Sequence, residues 1–112
     1  MSDAPFRIVV HPHLGPLLVA EHARITVDGE PLDARAGEPV AATLLAHGHR
    51  ICRTTVRTDE PRGVFCAIGL CGDCAMQIDG IPGVRACVTP VRDGMRVETQ
   101  HGLGAWDATK QR

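Results

Sequence analysis

Aromatic residues are scarce in this chain of 112 residues, which contains two phenylalanines, one tryptophan and no tyrosine. Phe6, Phe65 and Trp106 are too few to build a stacking platform for nucleic-acid bases or an aromatic-rich ligand pocket. The formal net charge at pH 7 is −1, so the chain also lacks the basic excess that nucleic-acid binding leaves in a sequence. These two absences argue against nucleic acid as the main partner.

Long apolar runs are absent as well. No stretch approaches the roughly eighteen continuous apolar residues that indicate a transmembrane helix, and the amino terminus carries no basic region followed by an apolar one, as a signal peptide would. The five cysteines are an odd number, which rules out a fully paired disulfide framework. We therefore expect a reduced, cytoplasmic protein without a membrane span.

The length fits one small domain, which buries roughly two-thirds of its unfolded surface. We divide the chain into an N-terminal arm (1–22), a domain (23–100) and a C-terminal tail (101–112). The sequence contains no nucleotide-binding fingerprint and no nucleophile beside a positioned base. We name no catalytic residue and expect the chain to be non-catalytic on its own.

Four cysteines follow the pattern C-x4-C-x2-C-x12-C, which places three thiols on one tight loop and a fourth on a separate segment. The spacing C-x4-C-x2-C…C is typical of a [2Fe–2S] cluster held as in plant-type ferredoxins. Gly69 and Gly72 stand between the loop cysteines, where residues free to take positive φ let main-chain amides approach the sulfurs. The predicted ligands are Cys66, Cys71, Cys74 and Cys87.

Two other chemistries use similar cysteine patterns. Zinc sites usually pair one C-x2-C with a second close-set pair, whereas Cys87 stands alone here. A thiol-redox site would need a βαβ context around its C-x-x-C, and this loop has strand and turn signals on both sides. The fifth cysteine, Cys52, is interpreted as a small buried apolar side chain rather than a ligand.

The rest of the sequence predicts a small α+β domain. Asp28-Gly29 joins two strands in a hairpin, and a short helix begins at Pro39, buries Val40, Ala41, Leu44 and Leu45, and is capped by Gly48. After the loop, residues 75–78 and 84–88 form a second hairpin around Asp79-Gly80, so that Cys87 lies on the returning strand. A last strand is expected at 95–99.

Arginines concentrate on the approach to the cysteine loop. A cluster held by four thiolates is itself anionic, with a net charge of about −2 when oxidised. Nearby cations would favour its reduced form, which carries one more negative charge. The arginines concerned are Arg50, Arg53, Arg57 and Arg62.

Segments 61–66, 69–71, 84–91 and 93–95, together with Cys74, resemble the small iron–sulfur subunits of bacterial flavin-dependent amine and amino-acid dehydrogenases. Proteins of this type include the ferredoxin-like subunits of hydrogen cyanide synthase and of hydroxyproline and opine dehydrogenases, and the N-terminal portion of sarcosine oxidase α chains. The resemblance spans roughly residues 23–100.

It implies a β-grasp ferredoxin fold, with a mixed sheet, one main helix and a cluster-binding loop. It also implies partner subunits that oxidise a C–N bond with FAD and pass electrons to a [2Fe–2S] cluster in this chain. Two alternatives are a free-standing [2Fe–2S] ferredoxin, which would normally be acidic, and a zinc-stabilised binding module.

Overall fold

The structure, a computed structural model, describes residues 6–7, 10–16 and 21–105. Parts of the N-terminal arm lie outside these residues, as does the C-terminal tail from Trp106 onward. Within the described part, the chain forms ten strands and one helix, α1 (Val40–Ala46). The strands are β1 (Val10–His11), β2 (Gly15–Pro16), β3 (His22–Val27), β4 (Glu30–Arg35), β5 (Arg53–Thr54), β6 (Pro61–Arg62), β7 (Ala75–Ile78), β8 (Ile81–Arg85), β9 (Arg96–Glu98) and β10 (Gln100–His101).

The main sheet has five strands in the order β4-β3-β9-β7-β8. β3 and β9 run parallel, whereas the other neighbours are antiparallel, so the sheet is mixed. A second sheet, β10-β5-β6, and the small β1-β2 pair accompany it. A mixed sheet with a single short helix confirms the predicted α+β, β-grasp class.

Both predicted Asp-Gly hairpins are present. Asp28 and Gly29 have φ of 51° and 86°, and Asp79 and Gly80 have φ of 51° and 81°. Two consecutive positive φ values are the signature of the type I′ turn, whose twist matches that of paired strands. The Asp28 carboxylate also accepts a hydrogen bond of 2.8 Å from the Thr99 amide, which ties the first hairpin to the chain just after β9.

The helix ends as predicted. Gly48 has φ of 84°, its amide donates to the Leu45 carbonyl, and the His49 amide donates to the Leu44 carbonyl over 2.8 Å. These paired bonds form a Schellman motif, which satisfies carbonyls at the helix end. At the other end, Pro39 is the N-cap in an extended conformation, so the helix begins one residue later than predicted.

The prediction that Leu45 is buried was wrong. Leu44 is fully buried, whereas Leu45 is one of the exposed large hydrophobic residues. Consecutive helical residues point about 100° apart, and the seven-residue helix turns Val40, Thr43 and Leu44 toward the sheet. Leu45 is thereby left on the solvent side.

The core lies between α1 and one face of the main sheet. Its large members come from the first hairpin, the helix, the second hairpin and the last strand, and part of the cysteine site joins the same buried cluster. No helix in the described residues is long and apolar enough to cross a membrane. The principal apolar members are Ile25, Val27, Leu32, Val40, Leu44, Met76, Ile78, Met95 and Val97.

Candidate metal centre

The cysteine loop, residues 63–72, follows β6 and has no regular secondary structure. Its backbone wraps around the sulfur of Cys66, which accepts hydrogen bonds from the amides of Ile68 at 3.5 Å, Leu70 at 3.3 Å and Cys71 at 3.3 Å. Amides that would pair with carbonyls in a helix or strand thus donate to sulfur, as the sequence predicted for a tight wrap.

These donors favour the charged form of the thiol. Hydrogen bonds from the Ile68 and Cys71 amides are the main causes that lower the pKa of Cys66 to about 6, and the Leu70 amide adds to them. The thiolate, rather than the thiol, is the form that binds a metal. The loop therefore presents Cys66 ready for ligation near neutral pH.

Gly69 and Gly72 have the positive φ that the sequence predicted, at 83° and 74°. A Cβ atom on Gly69 would lie 3.2 Å from Cγ1 of Val88, so the loop packs against the segment that carries Cys87. Gly72 places its carbonyl oxygen 3.4 Å from Nη1 of Arg53. Both glycines serve the loop geometry.

Cys87 reaches the loop by a different route from the one predicted. β8 ends at Arg85, and Cys87 lies in the turn that follows rather than on the strand. The turn is held by the start of the helix, because the Val40 amide donates to Thr89 at 2.8 Å and the Ala41 amide to Ala86 at 2.9 Å. The Cys87 amide donates to the sulfur of Cys74 over 3.4 Å, so it is not part of a strand ladder.

The structure brings the four predicted ligands together as two pairs. Cys66 and Cys71 are neighbours close enough to affect each other's ionisation, as are Cys74 and Cys87, and the Gly69 amide of the loop lies close to the Cys87 thiol. Burial, followed by the neighbouring Cys74, raises the pKa of Cys87.

The two pairs differ in exposure: Cys71 is exposed and Cys66 partly so, whereas Cys74 and Cys87 are buried. Among the described residues, no group of three or more His, Cys, Asp or Glu side chains is arranged around a single ion. Two thiolate pairs are the set that a two-iron cluster uses. The donor chemistry, the amide-lined loop and the crowded Gly69 fit such a cluster.

Cys52 is buried, as predicted. Burial is the main cause that raises the pKa of its thiol to about 11, with smaller contributions from Cys74 and Cys87. It therefore lies near the buried pair but stays protonated. Its exclusion from the ligand set remains a prediction.

Sequence reasoning assigned no site role to Gly63 and only a general one to Arg53. A Cβ atom on Gly63 would collide with the carbonyl oxygen of Arg50, so the entry to the loop requires glycine. The Nε atom of Arg53 is buried, with no hydrogen-bond partner among the described residues. Gly63 lies in the segment that carries the family resemblance, but only tertiary structure shows what it contacts.

A β-grasp fold that holds two neighbouring pairs of cysteines beside its core is typical of an electron-transfer protein of the ferredoxin type. Residues 20–102 match the family model described as a 2Fe-2S iron-sulfur cluster binding domain, and the chain belongs to this family. Its cofactor is a [2Fe–2S] cluster, which sets the zinc alternative aside.

Two relatives and one solved structure are similar to this chain and support its place in the family. The chain is 46% identical over 78 residues to hydrogen cyanide synthase subunit HcnA of Pseudomonas aeruginosa, covering 68% of this chain and 72% of that protein. It is 31% identical over 100 residues to sarcosine oxidase subunit alpha of a Corynebacterium species, covering 80% of this chain but 10% of that subunit. L-proline dehydrogenase from P. horikoshii contains a similar fold, with a TM-score of 0.66, 27% identity, and coverage of 79% of this chain and 17% of that one.

Proposed function

We propose that this chain is the electron-transfer subunit of a flavin-dependent dehydrogenase that oxidises a C–N bond of an amine or amino acid, of the proline, hydroxyproline or opine type. Three similar proteins support this proposal through their names: a hydrogen cyanide synthase subunit, a sarcosine oxidase alpha subunit and an L-proline dehydrogenase. This chain matches only a small part of the sarcosine oxidase alpha subunit and of the L-proline dehydrogenase chain. The catalytic part would therefore be supplied by separate, FAD-containing subunits, which form a cytoplasmic hetero-oligomer with this chain.

The observation that carries the proposal is the loop around Cys66, whose amides point at a sulfur that is charged near neutral pH. We assign Cys66, Cys71, Cys74 and Cys87 as the ligands. When bound, the [2Fe–2S] cluster accepts and releases one electron at a time, which suits it to follow a two-electron flavin.

The protein's own residues would hold and tune that centre. Amide donors near ligand sulfurs stabilise the added charge of the reduced state and are a known means of setting potential. Gly69 and Gly72 permit the loop to bring those amides in, and the helix start holds Cys87 against Cys74. We keep residues 23–100 as the cluster domain, with the N-terminal arm and the C-terminal tail outside it.

The proposal is tested first on the purified chain under anaerobic conditions. We expect about two irons and two sulfides per chain and a red-brown absorption that bleaches partly with dithionite. A tagged chain expressed in its native host should then co-purify with flavin-containing subunits. A colourless protein that retains zinc would contradict the cofactor assignment, whereas a red-brown protein without flavin partners would contradict only the subunit role.

The second candidate is a free ferredoxin that serves several enzymes. The net charge of −1 favours a permanent subunit, because diffusing carriers rely on a strong charge to find basic partners. Gel filtration of native extract separates the two possibilities. A free carrier elutes alone near its mass of 12.0 kDa, and a subunit elutes with its complex.

A further inference from the structure

Four large apolar side chains are exposed on the cysteine loop and on the turn that carries Cys87. Phe65 is 81% exposed, Ile68 66%, Leu70 76% and Val88 54%; these four residues are here called the apolar rim. They are part of the exposed large hydrophobic residues of the described chain. Exposed apolar side chains are ordinary when scattered singly, but a contiguous group marks an interaction surface.

The rim residues lie beside the proposed ligands along the chain, on the cysteine loop and on the turn that carries Cys87. Phe65 precedes Cys66, Leu70 precedes Cys71, and Val88 follows Cys87 in the chain. The loop and the Cys87 turn touch each other, since Val88 packs against Gly69. The rim therefore borders three of the four proposed ligands, including both members of the exposed pair.

Charged side chains are absent from the loop. Residues 63–72 read Gly-Val-Phe-Cys-Ala-Ile-Gly-Leu-Cys-Gly, with no Asp, Glu, Lys or Arg. The loop itself therefore offers an apolar contact rather than ion pairs, and the nearest charges, such as Arg53 beside Gly72, lie at its edge. It suits an apolar counterpart that stays bound, because obligate interfaces are the more hydrophobic class.

The opposite side of the centre is closed. Cys74 and Cys87 belong to the buried core cluster, behind which lie the helix and the sheet. An electron that travels the shortest path between a donor and the cluster must therefore cross the surface on which Cys66 and Cys71 are accessible. The occupant of that surface is the electron donor or acceptor.

We propose that the apolar rim is the docking surface for the flavin-containing subunit and that a matching apolar face of that subunit covers Phe65, Ile68, Leu70 and Val88. This inference rests on the proposed function and adds the surface through which electrons pass. A second copy of this chain would instead place two identical clusters face to face and close the accessible side to the donor.

The test uses the tagged chain purified with its native partners. Phe65→Glu and Val88→Glu each place a charge in the rim, and Leu103→Glu is the matched control, because Leu103 is 79% exposed and lies outside the rim. We expect the flavin-to-iron ratio of the purified complex to fall about tenfold or more in the rim variants, since a buried unpaired charge opposes docking. The control should keep the wild-type ratio.

Each variant is first checked for wild-type iron content and for reduction by dithionite, so that loss of flavin cannot reflect loss of the cluster. Amide hydrogen exchange of residues 63–72 should also be slower in the wild-type complex than in the isolated chain. Rim variants that retain the wild-type flavin ratio, or a loop that exchanges equally fast in both, would overturn the docking proposal alone.

A wild-type chain that co-purifies with no flavin-containing subunit would overturn the proposed function and, with it, the proposed docking surface. Sedimentation of the isolated chain tests the other possible occupant of the rim, a second copy of this chain, by measuring whether the chain dimerises. A dimer that Phe65→Glu dissociates and Leu103→Glu does not would assign the rim to a second copy and contradict the proposal.

Discussion

The sheet-and-helix core and the cysteine loop differ in what their backbone amides bind and in whether their apolar side chains are buried. In the core, backbone amides pair with carbonyls and apolar side chains such as Ile25 and Met76 are buried. In the loop, amides donate to the sulfur of Cys66, and apolar side chains such as Leu70 face outward. The core is stabilised by its own packing, whereas the loop is organised around the sulfur of Cys66.

This contrast teaches that fold stability and cofactor geometry are separable here. The loop contributes few buried apolar contacts of its own, and ligation should add to the stability of its amide-to-sulfur geometry, as in other metal sites that couple binding to folding. Cys74 and Cys87 are where the two regions meet, because they are both proposed ligands and members of the buried core. The predictions below test that separation.

Removal of a shared ligand should have the largest effect. Cys87→Ser is expected to abolish the cluster or to weaken it severely, because the fourth thiolate is lost. The matched variant Cys52→Ser replaces the nearby buried thiol that we exclude from the ligand set and should leave the visible spectrum intact. Iron content and absorption measure both; an unchanged cluster in Cys87→Ser, or bleaching in Cys52→Ser, would contradict the assignment.

In metal-free protein, the two regions should differ sharply in thiol reactivity. The pKa of Cys66 is about 6 and that of Cys52 about 11, so at pH 7 the thiolate fractions differ by about four orders of magnitude. Iodoacetamide followed by mass mapping should modify Cys66 far faster. Its rate should rise with pH through about 6 and then level off. Equal rates for the two thiols would show that the loop does not hold its amides toward Cys66 without metal.

Leucine-to-alanine substitutions in the core and in the loop should have different effects on the free energy of unfolding. Leu44→Ala creates a cavity beside the sheet and should lower the free energy of unfolding of the metal-free protein by about 2–5 kcal/mol. Leu70→Ala, in the exposed loop, should change it by about 0.5 kcal/mol or less. Urea denaturation followed by circular dichroism provides the measurement. A comparable loss in both variants would mean that the loop packs against the core without metal.

Two glycines with similar φ offer a finer comparison. Gly69 and Gly83 have φ of 83° and 75°, but only Gly69 is crowded, because a Cβ atom on Gly83 would meet nothing within 4 Å. Gly83→Ala should cost about 1–2 kcal/mol from backbone conformation alone. Gly69→Ala adds the contact with Val88 and should also lower the iron bound per chain. Equal iron content in the two variants would show that the loop binds the cluster without needing glycine at position 69.

The smallest effect concerns charge. Arg53→Gln removes a cation whose Nη1 lies 3.4 Å from the Gly72 carbonyl oxygen, and should lower the reduction potential of the cluster by an amount on the order of tens of millivolts. Arg57→Gln is the control, because Arg57 is exposed and its charge is screened. Spectroelectrochemical titration compares them. Equal potentials in both variants would show that the basic approach to the loop is only a solvated surface.

Local signals predicted much of the fold because they act over a few residues. Asp28-Gly29 and Asp79-Gly80 allow the positive φ that their hairpins require, and Gly48 caps the helix for the same reason. Where the prediction was wrong, the deciding contact was distant in sequence. Leu45 is exposed because the sheet selects a different helix face, and Cys87 leaves the strand because amides of Val40 and Ala41 draw the turn toward the helix.

The amino-acid sequence by itself determined the class of cofactor, because the C-x4-C-x2-C-x12-C spacing is a property of the chain and matches the thiolate count of a two-iron cluster. Only the tertiary structure decided how the four thiols divide into an exposed and a buried pair, and that Phe65, Ile68, Leu70 and Val88 are exposed. Spacing along a chain limits which ligands can meet, whereas burial and direction depend on which distant segments pack against them.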